Sequence, residues 1–185
     1  KAIASCLLEY GGLDILISNA GIFSSSADLE NIDDFKWKTD LNINLTTHHR
    51  VLRECIPFLK LGVDPAIVFI GSRNVGAPGP GAGTYTIAKS GLTQMARLAA
   101  IELSKYNIRV NTVHPDSVYD TNIWSKTILK QRARKYGISV NDYKKRNLLK
   151  TNVSSEDVAE LVSFLSGIKS SMTTGAQVPI DGGNE

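Results

Sequence analysis

A-I-V-F-I-G-S-R-N-V-G-A-P-G-P-G-A-G-T-Y-T-I-A-K, residues 66–89, carries three local patterns in a row. Ala66 to Gly71 is an apolar run of strand length without polar alternation, as a strand covered on both faces requires. From about Thr84, the apolar positions Ala88, Leu92, Met95, Ala99 and Leu103 recur at the 3.6-residue period and predict a helix to about Lys105. The residues between are too rich in Gly and Pro to join either element. Three polar groups punctuate this strand–turn–helix unit. Ser72 ends the strand, and Tyr85 and Lys89 stand four apart, on one helical face. An ammonium beside a phenol favours its anion and lowers a pKa that is ordinarily about 10. Tyr85 is therefore a candidate general acid/base, with the Ser72 hydroxyl able to hydrogen-bond the same reacting oxygen. The pattern suits moving a proton on or off an alcohol, although Tyr-x-x-x-Lys alone is a weak signal.

Outward from this stretch, strands and helices alternate. Residues 2–10 read as a helix ended by Gly11-Gly12, and Leu13 to Ile17 as a strand running into Ser18-Asn19-Ala20-Gly21. Asp33 or Asp34 caps a helix holding Phe35 and Trp37, which bends and resumes from Asn44 to Leu61. Ile108 to Val113 is a further strand, ending at His114-Pro115. A basic, irregularly helical segment follows, then a helix from Ser154 to about Ser166 and a strand from Ala176 to Ile180. Such alternation predicts an α/β fold with a parallel sheet, in which ligands bind beyond the carboxyl ends of the strands. The loops after Ser18, Gly71 and His114 all leave from that rim.

Composition narrows the function. With 185 residues, 42% hydrophobic and 21% charged, the chain can bury one core, and its apolar runs fall short of the roughly 20 residues of a membrane span. Cys6 and Cys55 lack metal-ligand or C-x-x-C spacing, so reduced thiols and a cytoplasmic setting are expected, with no metal. His48, His49 and His114 likewise read as structural, and Asp116 as a turn former. The net charge of +3 is unevenly placed: residues 122–150 hold nine basic side chains against Asp142 alone. That segment reads as a solvated lid over a substrate, or as a recognition surface for an anionic substrate or acidic partner. Without interleaved aromatic platforms, nucleic-acid binding is not expected.

The motifs together resemble the short-chain dehydrogenase/reductase family over nearly the whole chain. Ser18-Asn19-Ala20-Gly21 is similar to its N-N-A-G turn, and Trp37 with Asn44-Leu45 to the segment bearing its catalytic Asn. Ser72 stands 13 residues before Tyr85, and Tyr85 with Lys89 matches its signature. Ile108-Arg109-Val110-Asn111, Pro115 and Asp181-Gly182-Gly183 resemble its later landmarks. The resemblance implies a doubly wound Rossmann-type fold and an NAD- or NADP-dependent oxidoreductase for a small hydroxylated substrate: a sugar, polyol or hydroxyaldehyde such as lactaldehyde. Tyr85 would exchange a proton with the substrate oxygen and Ser72 polarise it. Lys89 would tune Tyr85 and bind nicotinamide ribose, and Asn44 would anchor a proton-relaying water. Asn19, Ala20, Gly21, Pro115 and Val118 would line the cofactor. The helices near 40–61 and 84–105, with Ala96, Ala99 and Ala100 permitting close packing, imply a homo-dimer or homo-tetramer.

Two departures stand out: Asp116 replaces the Gly after Pro115, and Asp120 occupies a family Thr position. S-R-N-V-G-A-P-G-P-G, H-P-D-S-V and Arg146 to Lys150 resemble the dehydrogenase half of bifunctional rhamnulose-phosphate aldolase/short-chain dehydrogenases, which implies a fused upstream aldolase domain. The family's opening glycine-rich loop and first βαβαβ half have no counterpart here, so a carboxyl-terminal part, inert alone, is expected. Competing readings are a 3-oxoacyl thioester reductase and a non-catalytic cofactor-sensing or scaffold module.

Overall fold

The computed structural model describes residues 1–23 and 27–183. Helix α1 (Ala2–Tyr10) ends at Gly11, whose left-handed φ of 77° lets its N–H close onto Leu7 O. Strand β1 (Ile15–Ser18) leads towards α2 (Asp34–Leu41), where Asp33 is the cap, its carboxylate accepting from Lys36 N at 2.8 Å. The expected bend is a π-helical turn, Asn42–Thr46, continuing into α3 (Thr47–Leu59). Then come β2 (Ala66–Ile70), α4 (Gly83–Leu103) and β3 (Arg109–Pro115). The basic segment forms two short helices, α5 (Lys126–Lys135) and α6 (Val140–Lys144). A capping box of Ser154 and Asp157 starts α7 (Ser155–Ser166), and β4 (Gln177–Ile180) closes the sheet.

All four strands are parallel, in the order β1-β2-β3-β4, with Ile15 opposite Ala66, Ala66 opposite Arg109 and Thr112 opposite Gln177. The architecture is the expected α/β fold. β2 is buried on both faces, which accounts for its unbroken apolar run. Ile67 and Phe69 pack with Leu52, Cys55 and Leu59 of α3 and Leu92, Ala96 and Ala100 of α4. Val68 and Val113 face the other way, onto Leu165 and its neighbours on α7. Ala96, Ala99 and Ala100 are thus core residues, 1–6% exposed. This corrects the reading that placed them between subunits: the small side chains let α4 lie close to its own sheet. The outward apolar residues of α4 are Ile87, Leu98 and Ile101. Among the described residues β1 pairs on one side only, and Ile15 and Ile17 are exposed. No helix among the described residues is long and apolar enough to cross a membrane.

Candidate active site

The carboxyl ends of β1, β2 and β3 open into a cleft of about 1040 Å³. Asn19, Gly21, Ser72, Tyr85, Lys89, Pro115 and Val118 line it. Asn44 lies just beneath, fully buried in the π turn, with Oδ1 accepting the Ile22 N–H at 3.0 Å. The wider turn is what aims this side chain at the β1 rim. Ala20 is exposed and does not line the cleft. The other expected residues come to one place from five parts of the fold: the turn after β1, the π turn, the end of β2, α4 and the end of β3.

Ser72 is oriented from two sides. Its Oγ accepts from Asn74 N at 3.2 Å, which leaves the hydroxyl proton to point elsewhere, and its backbone contacts His114 Nδ1 at 3.0–3.1 Å. His114 Nε2 meets Gln177 Oε1 at 2.8 Å, tying β2 to β4 across β3. The ring fits only because residue 71 is Gly, since a Cβ there would stand 2.6 Å from it. Tyr85 packs edge-on against Phe23, with ring centroids 5.1 Å apart.

Lys89 is 3% exposed and donates to Ile70 O at 2.7 Å. Burial lowers its pKa to about 8. Its Nζ lies 5.9 Å from the Tyr85 ring centroid. Here the structure corrects the sequence reading. The Tyr85 phenol is pushed above its ordinary value by burial, while the neighbouring Ser72 hydroxyl pulls the other way. Helical adjacency brings amine and phenol together, but the loss of solvent around the phenol outweighs it.

His48 has the structural role expected of it, and lies beneath this site. It is 1% exposed, its Nδ1 is 2.6 Å from Ser18 Oγ, and its ring meets Phe69 edge-on. Burial and the positive Lys89 hold its pKa near 4, against an opposing backbone contact at Ala20. The folded chain therefore refuses a proton that the unfolded chain accepts below about 6.5. Stability from this site is complete above pH 6.5 and falls as pH drops towards 4. Denaturant midpoints across that window should decline in the native protein, and more weakly in His48→Gln. An unchanged slope would remove His48 as the cause.

The two departures resolve differently. Asp120 is not a cofactor contact: its carboxylate accepts Ser155 N at 3.0 Å and Ser155 Oγ at 2.8 Å, bracing the first turn of α7. Asp116 does line the cleft, 3.6 Å from Arg73 Nη1 and 3.8 Å from Arg146 Nη2. Arg73 was overlooked as a lone cation beside Ser72, and nothing in its spacing marks it. Within the basic segment the structure selects Arg132, Lys135 and Arg146 as the charged residues facing the cleft.

A family model described as enoyl-(acyl carrier protein) reductase matches residues 1–185. The chain belongs to the short-chain dehydrogenase/reductase family. It is 35% identical to the uncharacterized oxidoreductase YuxG of Bacillus subtilis, over 99% of this chain and 27% of that protein. An uncharacterized NAD-dependent oxidoreductase of Mycobacterium tuberculosis is 31% identical, over 99% of this chain and 66% of its own length. The chain thus spans from about a quarter to two thirds of these relatives. Carveol dehydrogenase from Mycobacterium avium, solved in complex with NAD, superposes with a TM-score of 0.89 at 28% identity, covering 98% of this chain and 68% of that one. The fold around the cleft is therefore that of the family.

Proposed function

We propose that this chain is the catalytic portion of an NAD-dependent dehydrogenase that interconverts an alcohol and a carbonyl on a small hydroxylated substrate, such as a sugar, polyol or hydroxyaldehyde. The observation that carries the reading is the convergence of Ser72, Tyr85 and buried Lys89 on one large cleft, with Asn44 directly below. NAD is favoured over NADP by the Mycobacterium relative and by the carveol dehydrogenase complex.

The residues present fit a nicotinamide. A Cβ on Gly21 would stand 3.1 Å from Asn44 Oδ1 and 3.7 Å from Lys89 Nζ, so a side chain here would crowd the Asn44 carboxamide. Asn44 Nδ2 is buried without a partner among the described residues. Asn19, Gly21, Pro115, Val118, Tyr85 and Lys89 would hold the nicotinamide half, which when bound supplies hydride exchange at the substrate carbon. Tyr85 Oη holds the proton exchanged with the substrate oxygen, and Ser72 Oγ donates a hydrogen bond to that oxygen. Lys89, with a pKa near 8, stays largely charged at neutral pH and opposes accumulation of further positive charge. Asn44 fixes the β1 turn through Ile22 N.

The α5–α6 segment, residues 122–150, serves as the substrate lid, and the exposed Ile87, Leu98 and Ile101 suit a homo-dimer or homo-tetramer face. The one-sided, apolar β1 edge suits pairing with further strands of the longer protein, where the adenosine half of NAD would bind. YuxG, of which this chain covers 27%, is long enough to hold a further domain such as the aldolase proposed upstream, and the two free thiols suit a cytoplasmic enzyme. The likeness to 3-ketoacyl-(acyl-carrier-protein) reductase from Brucella melitensis, 26% identical with a TM-score of 0.85, favours one second reading, a 3-oxoacyl thioester reductase. Following nicotinamide absorbance in the natural full-length protein, with polyols, hydroxyaldehydes and a 3-oxoacyl thioester, should give turnover with the hydroxylated set. Turnover of the thioester alone would replace the first reading by the second, and turnover of neither would sink both in favour of a sensor or scaffold.

A further inference from the structure

We propose that the cleft selects a substrate carrying an oxyanion, a carboxylate or a phosphate, and that Arg73 and Arg146 hold it. This rests on the dehydrogenase reading and names the substrate class of the same site. Arg73 follows Ser72 directly, so the anion it grips lies within a few bonds of the carbon whose oxygen Ser72 and Tyr85 address. Arg146 enters from beyond α6 and meets the same carboxylate, Asp116. Each guanidinium makes one long contact with that carboxylate, at 3.6 and 3.8 Å. Neither is consumed by a bidentate bond, and two cations share one anion.

Both guanidinium groups also carry a buried Nε–H without an acceptor among the described residues. Those Nε–H groups have no exposed surface, so an oxyanion in the cleft would be met by the Nη groups, whose contacts with Asp116 are long. Arg146 is held ready. Its guanidinium lies 4.9 Å from the Tyr143 ring centroid and 5.5 Å from that of Tyr136, so little side-chain freedom remains to be lost on binding. Arg132 and Lys135 of α5 line the outer cleft and add positive field along the approach. Asp116 aligns the two arginines and repels any anion bound in a different register.

The test is steady-state oxidation by the natural full-length protein of three compounds on one skeleton: glycerol, glycerate and glycerol 1-phosphate. At least one anion should exceed glycerol in kcat/KM by about 10-fold or more, as charge-assisted hydrogen bonds predict, and the better anion identifies the group. Arg73→Gln and Arg146→Gln should each raise KM for that anion about 10-fold, leaving kcat and the KM for glycerol within about twofold. Arg146→Lys should recover part of the loss, and thermal melts should confirm that each variant is folded. Equal use of glycerol and both anions, or equal damage to all three, overturns the proposal. So does inhibition by acetate or inorganic phosphate that competes with NAD instead of substrate. If no alcohol is oxidised, the dehydrogenase reading fails separately. Calorimetry of phosphate and acetate with native protein and Arg146→Gln then decides the anion site, and absence of binding to the native protein refutes it.

Discussion

Tyr85→Phe in the natural full-length protein should lower kcat by about 10²–10⁴-fold, the usual contribution of a positioned general acid/base, with NAD affinity unchanged within about twofold. The substitution removes one oxygen and keeps the ring, so the edge-on packing on Phe23 and the helical turn around Lys89 are preserved. Burial holds the phenol above its ordinary pKa, so it is protonated at neutral pH and ready to donate in carbonyl reduction. In the oxidation direction it must first lose that proton. The rate of oxidation should therefore rise with pH through and beyond 8, the region where Lys89 also loses charge. Tyr85→Phe should flatten that rise as well as depress it. A variant retaining more than about a tenth of native turnover would exclude Tyr85 as the proton donor.

How far the sequence anticipates such chemistry depends on the distance over which each cause acts. Apolar periodicity is local, and it located β2, α4 and α7 within a few residues of their observed ends. Asp33 was legible because a cap acts across three residues. The π turn was visible only as a bend, since a one-residue widening leaves no compositional mark. The convergence of Ser72, Tyr85 and Lys89 followed from their motif and the parallel sheet. The direction of the Tyr85 shift did not: spacing shows which groups are neighbours, but not how much water they lose. The acceptor for Lys89 is a backbone carbonyl at the end of β2, which no side-chain pattern encodes. The same limit applies to Ala96, Ala99 and Ala100, where small side chains announce close packing without naming the partner. The excess charge of residues 122–150 was evident, yet only folding chose Arg132, Lys135 and Arg146 to face the cleft and brought Arg73 opposite.

Arg109→Met should destabilise the fold by about 3–5 kcal/mol, since hydrogen bonds from a charged donor contribute about 1.5–3 kcal/mol each. The Ile108-Arg109-Val110-Asn111 stretch resembles a family landmark, and the structure supplies its physical cause. Arg109 is 9% exposed and reaches from the start of β3 to the carboxyl end of α7. Nη1 donates to Leu165 O at 2.8 Å, Ser170 O at 3.2 Å and Ser170 Oγ at 2.9 Å. Nη2 donates to Ser166 O at 3.2 Å and Gly167 O at 3.1 Å. The carbonyls of Leu165, Ser166 and Gly167 are among those that a helix end leaves without intrahelical partners, and they form the negative pole of α7. One cation thus terminates α7, fixes the turn leading to β4 and docks both on the sheet. Asn111 repeats the device one pleat along, donating to Thr173 O at 2.9 Å and accepting from Ala176 N at 3.1 Å. Methionine fills much of the volume but offers no donor, so Ser166 O loses its bond from Nη2, and Leu165 O, Gly167 O and Ser170 O keep only their neutral donors from Ser170 and Thr173. Arg109→Lys should cost roughly half as much, because one ammonium has only three donors. The exposed Arg53, paired with Glu54 at 2.8 Å, is the control, and its replacement by Ala should move stability by less than about 1 kcal/mol. Urea midpoints with an unchanged slope would give these values directly, and an Arg109→Met loss no larger than that of Arg53→Ala would show that α7 is held by its apolar face alone.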